Sequence, residues 1–219
     1  MRAAMPKAVQ CALFFFCAHV ATVGVAGEQQ YEALSASMQA MLHRSVADRA
    51  SPRLTFESQT DAAVWLADMS KRLENHIPEQ TTRHDFLVTV QYEASRAGLD
   101  PQLVLGVIQV ESRFRKYAVS KAGARGYMQV MPFWVKLIGD GQQNLFNLRT
   151  NLRYGCTILR HYLAIEHGDM ARALARYNGS IGQSRYSDNV LRAWSGNWDY
   201  GRGKPSIIIG PTRYVGGGG

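Results

Sequence analysis

The sequence predicts a mainly α-helical fold interrupted by one irregular segment or small β-hairpin. Three observations carry this. Apolar residues recur at helical spacing across most of 29–193, capping residues stand where the periodic stretches start and stop, and only 117–130 breaks the pattern.

Taken in order, residues 29–48 read as a polar-rich helix with Leu34, Met38, Met41 and Leu42 on one face, ending at Ala50-Ser51-Pro52. Asp61 is placed to cap a second helix through Val64, Trp65 and Leu73, which ends before Pro78. A third is expected over 82–97, with Phe86, Val90 and Ala94 four residues apart and Gly98 as its stop. Asp100-Pro101 is a start signal, because the carboxylate caps free N–H groups and proline tolerates the first helical position. The helix it opens carries Leu103, Val104, Val107 and Ile108 and reaches Glu111. After the irregular segment, helices are expected from about Pro132, over Leu148 to Glu166, Met170 to Tyr177 and Ser187 to Ala193.

The two ends differ from this body. Arg2 and Lys7 precede an apolar run beginning Cys11-Ala12-Leu13-Phe14, and Gly24-Val25-Ala26 supplies small residues for cleavage before Gly27. This reads as a secretory signal peptide over 1–26, so a periplasmic or secreted protein with no stable membrane span is expected. Cys156 then remains as the one cysteine, read as a buried small apolar residue. The tail over 199–219 is Gly-rich, with the β-prone run Ser206-Ile207-Ile208-Ile209, and no function is read from it. The formal charge of +8 falls by two when Arg2 and Lys7 leave, and a basic surface suits an anionic polymer. In an exported protein that polymer is cell-wall glycan rather than nucleic acid. No His or Cys cluster has metal-ligand spacing and no phosphate-binding loop occurs, so no cofactor is expected.

The chemistry concentrates at Glu111. Apolar surroundings and the negative end of a helix both disfavour a charged carboxylate, which keeps the proton that a general acid needs. The competing reading is a surface glutamate paired with Arg113 or Arg115. The wider pattern bears on that choice. Glu111-Ser112 is followed by Ser120, Gly123-Ala124, Gly126-Tyr127-Met128-Gln129 and Met131-Pro132. Further on come Asn151, Gly155, Leu159 and Tyr162-Leu163, then Ala173 to Gly179, then Tyr186 with Val190-Leu191. Over roughly 85–195 this resembles the family 1 lytic transglycosylases of the soluble lytic murein transglycosylase type.

The resemblance implies a lysozyme-like helical domain over 81–198, with the 117–130 segment beside the cleft and 27–80 as an added helical extension. It implies cleavage of the β-1,4 bond between N-acetylmuramic acid and N-acetylglucosamine, leaving 1,6-anhydro ends, with Glu111 as single acid and base. Ser112, Ser120, Tyr127, Met128, Gln129, Tyr177, Asn178 and Tyr186 fall on the family's substrate-binding positions. Peptidoglycan strands are the implied partner, beside a secretion or cell-wall machine. Three departures stand out: Tyr127 where leucine is usual, Arg176 where a small residue is common, and a shortened segment from Gly179 to Tyr186. No Asp or Glu lies between Ser112 and Gly139, where a two-carboxylate glycosidase would draw its partner. Asp140, Asp169 and Asp188 keep a hydrolytic goose-type lysozyme open, and a non-catalytic wall-binding scaffold is the other alternative.

Overall fold

A computed structural model describes residues 29–47 and 49–200. The expected signal peptide and most of the Gly-rich tail lie outside the described residues. Among the described residues eight helices follow one another: α1 (Ala36–Ala47), α2 (Gln59–Leu73), α3 (Gln80–Arg96), α4 (Pro101–Ser112), α5 (Phe133–Ile138), α6 (Leu148–Ile165), α7 (Met170–Asn178) and α8 (Arg185–Asn197). Among the described residues none is long and apolar enough to cross a membrane. One buried cluster joins all eight, from Leu42 in α1 through Trp65, Phe86 and Leu103 to Tyr162 and Val190. The mainly helical fold is therefore as expected.

The boundaries show which caps win. Helix α1 starts seven residues later than the periodicity suggests, because Ser35 Oγ accepts from the Met38 amide at 3.2 Å and starts the helix there. The residues ahead of it form no helix and are tied to the body of the protein. Buried Gln29 accepts from the Met131 amide at 3.1 Å, and Glu32 meets Arg176 at 2.7 Å. In α2 the cap is Ser58 rather than Asp61; the Asp61 amide donates to Ser58 Oγ at 3.0 Å, which places Asp61 inside the first turn. Glu79 caps α3 through the Thr81 and Thr82 amides. Gly98 then takes the left-handed conformation (φ 66°) that ends it. Asp100 caps α4 as predicted, accepting from Gln102 and Leu103, with Pro101 behind it.

Helix α6 is the centre of the domain. Its buried residues run almost unbroken from Asn151 to Leu163 and include Cys156, whose thiol is fully enclosed and pushed upward in pKa by that burial. Arg153 of α6 donates to Glu93 of α3 at 2.7 Å, Arg96 reaches the same carboxylate at 3.0 Å and Arg149 lies 3.7 Å from it, so this fully buried acid is paired with three arginines.

The segment 117–130 forms no regular strand. Two isolated antiparallel bridges, Val119 with Arg125 and Arg125 with Val130, fold it back on itself. Its fixed shape comes from Asn151. The amide nitrogen donates to Arg125 O at 2.8 Å and Leu145 O at 2.9 Å, while the amide oxygen accepts from Met128 N at 2.8 Å. Two glycines permit this closeness. A Cβ on Gly126 would collide with the Asn151 amide, and one on Gly155 with Met128. Replacing Asn151 with Ala strands three backbone groups, and an unpartnered buried group costs about 1–3 kcal/mol. Asn151→Ala is therefore expected to lose on the order of 3–5 kcal/mol of stability in urea unfolding. A loss within measurement error would show that the clamp does not hold the loop.

Candidate active site

Glu111 stands at the penultimate position of α4, and the chain then turns sharply away. Arg113 and Phe114 are both left-handed, at φ 52° and 62°, a conformation that non-glycine residues rarely adopt. Burial of Phe114 against Phe86 and Trp198, at ring distances of 6.0 and 5.4 Å, offsets the strain. Helix α8 crosses α4 closely at Gly106, where a Cβ would lie 3.1 Å from Trp194 N and 3.2 Å from Val190 O. That crossing brings Tyr186 to the carboxyl, and its hydroxyl donates to Glu111 Oε1 at 2.5 Å.

The electrostatics follow. Burial raises the Glu111 carboxyl to about 7, and the Tyr186 hydrogen bond pulls the other way. The residue as a whole is only half-buried, so an acceptor oxygen from the solvent side can still approach it. Neither neighbouring arginine pairs with it. Arg115 donates instead to the Ser112 carbonyl at 3.0 Å. The surface-pair reading of Glu111 is thereby set aside.

The other predicted residues divide by exposure. Ser112 is buried and donates back to Ile108 O at 3.2 Å. Met128 and Tyr177 are fully buried, joined by the Tyr177 hydroxyl donating to Met128 O at 2.8 Å. Gln129, left-handed at φ 48°, turns its amide nitrogen onto Gly126 O and Ala118 O at 2.9 and 3.2 Å. Tyr127 is buried against Phe86 at 5.0 Å. Ser120 is partly exposed, and its Oγ accepts from Ala124 N at 3.1 Å. Asn178, at the end of α7, is partly exposed. Five of the eight thus make framework contacts around the acid in this structure, and Tyr186 touches the acid itself. Arg176 has a structural use: it bridges Glu166 at 2.6 Å and Glu32 at 2.7 Å, anchoring the irregular segment ahead of α1.

The spare carboxylates lie elsewhere. Asp169 caps α7 by accepting from Arg172 N, Asp140 accepts from Gln142 N beside Tyr154, and Asp188 is exposed in the first turn of α8. No charged group contributes to the shift at Glu111. The arrangement is a single neutral-tending carboxyl with a phenol donor.

Residues 89–192 match the family model of the transglycosylase SLT domain. The SLT match covers α4 to α7, the C-terminal half of α3 and most of α8, and so includes every residue of the site. A membrane-bound lytic murein transglycosylase C from Actinobacillus pleuropneumoniae serotype 5b is 44% identical over 104 residues, 43% of this chain and 27% of that protein. One from Mannheimia succiniciproducens is 40% identical over 144 residues, 58% of this chain and 38% of that protein. The transglycosylase of Enterobacteria phage PRD1 is 35% identical over 98 residues, 45% and 36% respectively. The chain therefore spans between 27% and 38% of the length of these three curated relatives.

Two contributors escaped the sequence. Asn151 was visible only as part of a motif, though a polar residue on the apolar face of a helix is itself a signal of a buried amide at work. The bond from Tyr186 to Glu111 joins residues 75 apart in the chain and leaves no local signature. It does carry a pH consequence. A general acid must hold its proton, so kcat/KM should fall as pH rises through about 7, the value that burial sets for Glu111. Because the phenol stabilises the ionised form, Tyr186→Phe should move this falling limb to higher pH. A limb that stays put or moves down would dissociate Tyr186 from the acid.

Proposed function

We propose that this protein is a peptidoglycan lytic transglycosylase of the family 1 type, exported to the periplasm or beyond, with Glu111 as its only acid and base. The observation that carries the reading is the lone carboxyl raised to about 7, placed by the SLT-matching segment and served by a neutral phenol. A protonated Glu111 gives its proton to the glycosidic oxygen as the C1–O bond breaks. The resulting carboxylate takes the proton of the C6 hydroxyl of the same sugar, and O6 bonds to C1. The proton count closes with Glu111 protonated again and a 1,6-anhydro ring formed. Holding the hydroxyl on the reacting sugar gives it a high effective concentration, which favours it over water.

This chemistry needs one carboxyl that accepts and returns a proton near neutrality. A two-carboxylate hydrolase needs a second acid flanking the bond, roughly 5–9.5 Å from the first. Asp140, Asp169 and Asp188 are engaged or exposed elsewhere. Relatives named as murein transglycosylases agree with a glycan-strand substrate. The irregular segment at 29–35 and helices α1 and α2 serve in this reading as a buttress for the catalytic body.

Glu111→Gln keeps the shape and removes the proton donor, so release of soluble fragments from sacculi should fall by at least about 10²-fold. The same variant should be more stable than the wild type above pH 7. A carboxyl raised from 4.5 to about 7 on folding adds stability fully below 4.5 and loses it as pH rises through 7. Thermal melts at pH 8 should show Glu111→Gln ahead, by up to about 3 kcal/mol, with the gap closing at pH 4. Cleavage at the wild-type rate would remove Glu111 from its role.

The product distinguishes the routes. Mass spectrometry of released muropeptides should find ends lacking one water, resistant to borohydride. Predominantly reducible ends would make the enzyme a hydrolase.

A further inference from the structure

The segment that follows Glu111 carries an aromatic surface that none of the chemistry above employs. Tyr117 is 70% exposed and Val119 60% exposed, large apolar side chains held in water. The ring of Phe146, from the loop before α6, lies 5.8 Å from that of Tyr117. Cations flank both: Lys116 Nζ sits 5.2 Å from the Tyr117 centroid and Arg125 Cζ 5.9 Å from that of Phe146. The stretch 112–139 holds six lysines and arginines and no acid.

Tyr117, Lys116 and Arg125 are exposed and Phe146 is partly so, but the backbone beneath them is not free. Asn151 binds Arg125 O and Leu145 O, the residue before Phe146, so one buried amide fixes both loops that build the surface. Arg125 is bonded a second time through its N–H to Val130 O at 3.0 Å. A rigid aromatic pair with two cations is preorganised for a ligand and avoids the ordering cost of a mobile loop. The surface is also tied to the wall of the site, since Gly126 N, next to Tyr127, donates to the carbonyl of Ala118, next to Tyr117, at 2.9 Å.

We propose that Tyr117 and Phe146, with Lys116 and Arg125, form an accessory subsite for the glycan strand beyond the cleaved linkage. One pyranose ring lies against the aromatic pair, and the carboxylates of an attached stem peptide meet the two cations. A sugar ring offers a flat face of C–H bonds, which suits an exposed aromatic, and its acidic substituent suits the uniform positive charge around it. Two rings are too small for a stable protein interface, which buries about 800 Å² per partner. The assignment rests on the proposed glycan-strand substrate.

The test compares wild type, Tyr117→Ala, Phe146→Ala and the pair Lys116→Gln with Arg125→Gln. Binding to insoluble sacculi is measured alongside turnover of long strands, the same strands stripped of peptide, and a short oligosaccharide. Thermal melts check that each variant is folded. Tyr117→Ala should raise KM on long strands about three- to tenfold, the scale of one aromatic contact, with kcat little changed and no effect on the short substrate. The charge pair should weaken binding only where peptides remain. Equal KM for wild type and Tyr117→Ala on long strands, or an equal loss on the short substrate, overturns the subsite. If the wild type releases no anhydro product yet Tyr117→Ala loses sacculus binding, the subsite stands and the catalytic proposal falls.

Discussion

The side chain of Asn151 is the constraint on which the site depends. It is a primary amide in the core, with both ends spent on backbone groups of two irregular loops. Irregular backbone near a core needs partners for its N–H and C=O groups, because regular ladders do not supply them. Here one residue supplies three. The position of Met128 follows from that, and with it the Met128 carbonyl that receives the Tyr177 hydroxyl. Glycine at 126 and 155 is required on the same ground, since any larger residue would push the amide or Met128 out of place. Helix α6 is itself started by Asn147, whose side chain accepts from Thr150 N, four residues before the clamp. Cap and clamp thus fix the same helix end against the same loops.

Charge around Glu111 is arranged in two zones with different physics. The cations of 112–139 would favour a carboxylate, yet the carboxyl is raised. The magnitudes explain this. An exposed charge about 10 Å away in water is worth a few tenths of a kcal/mol and is screened by salt within a Debye length of roughly 8–10 Å. Burial moves a carboxyl by up to 3–5 units. The solvated cations can draw an anionic polymer to the surface without ionising the acid inside. A basic exterior and a neutral acid are compatible because solvent separates them.

Much of the scaffold was legible in the order of residues. Helical periodicity located the helices, Asp100-Pro101 fixed the start of α4, and the short-chain stretch after 117 marked the one irregular segment. These are local signals, decided within a few residues. The failures were also local in form and long-range in cause. The segment at 29–35 has helical composition but forms no helix, because Gln29 and Glu32 find partners about 100 and 144 residues away. Asp61 and Ser58 are both competent caps, and three residues of register separated the right one from the wrong one. Glu111 was singled out from its apolar approach and its motif. Tyr186, Arg176 and the buried pair of Glu93 with Arg153 owe their roles to the packing of distant helices. A pattern along one element carries no record of which element will lie across it.

That Tyr186 is a phenol rather than a charged donor matters in the proposed reaction, where the carboxyl works in both forms. An arginine at the same place would lower the pKa by about 1–3 units and leave Glu111 ionised at neutral pH, unable to begin the reaction. With no partner at all, the acid would be harder to ionise and a weaker proton acceptor in the second step. A neutral hydroxyl stabilises the carboxylate by one short hydrogen bond, adds no net charge, and stays protonated itself, since burial and then Glu111 hold its own pKa well above 10. The balance of burial against one neutral donor leaves the acid near 7, where giving and taking a proton cost about the same. A one-carboxyl mechanism requires that balance, because no second group is there to share the two roles.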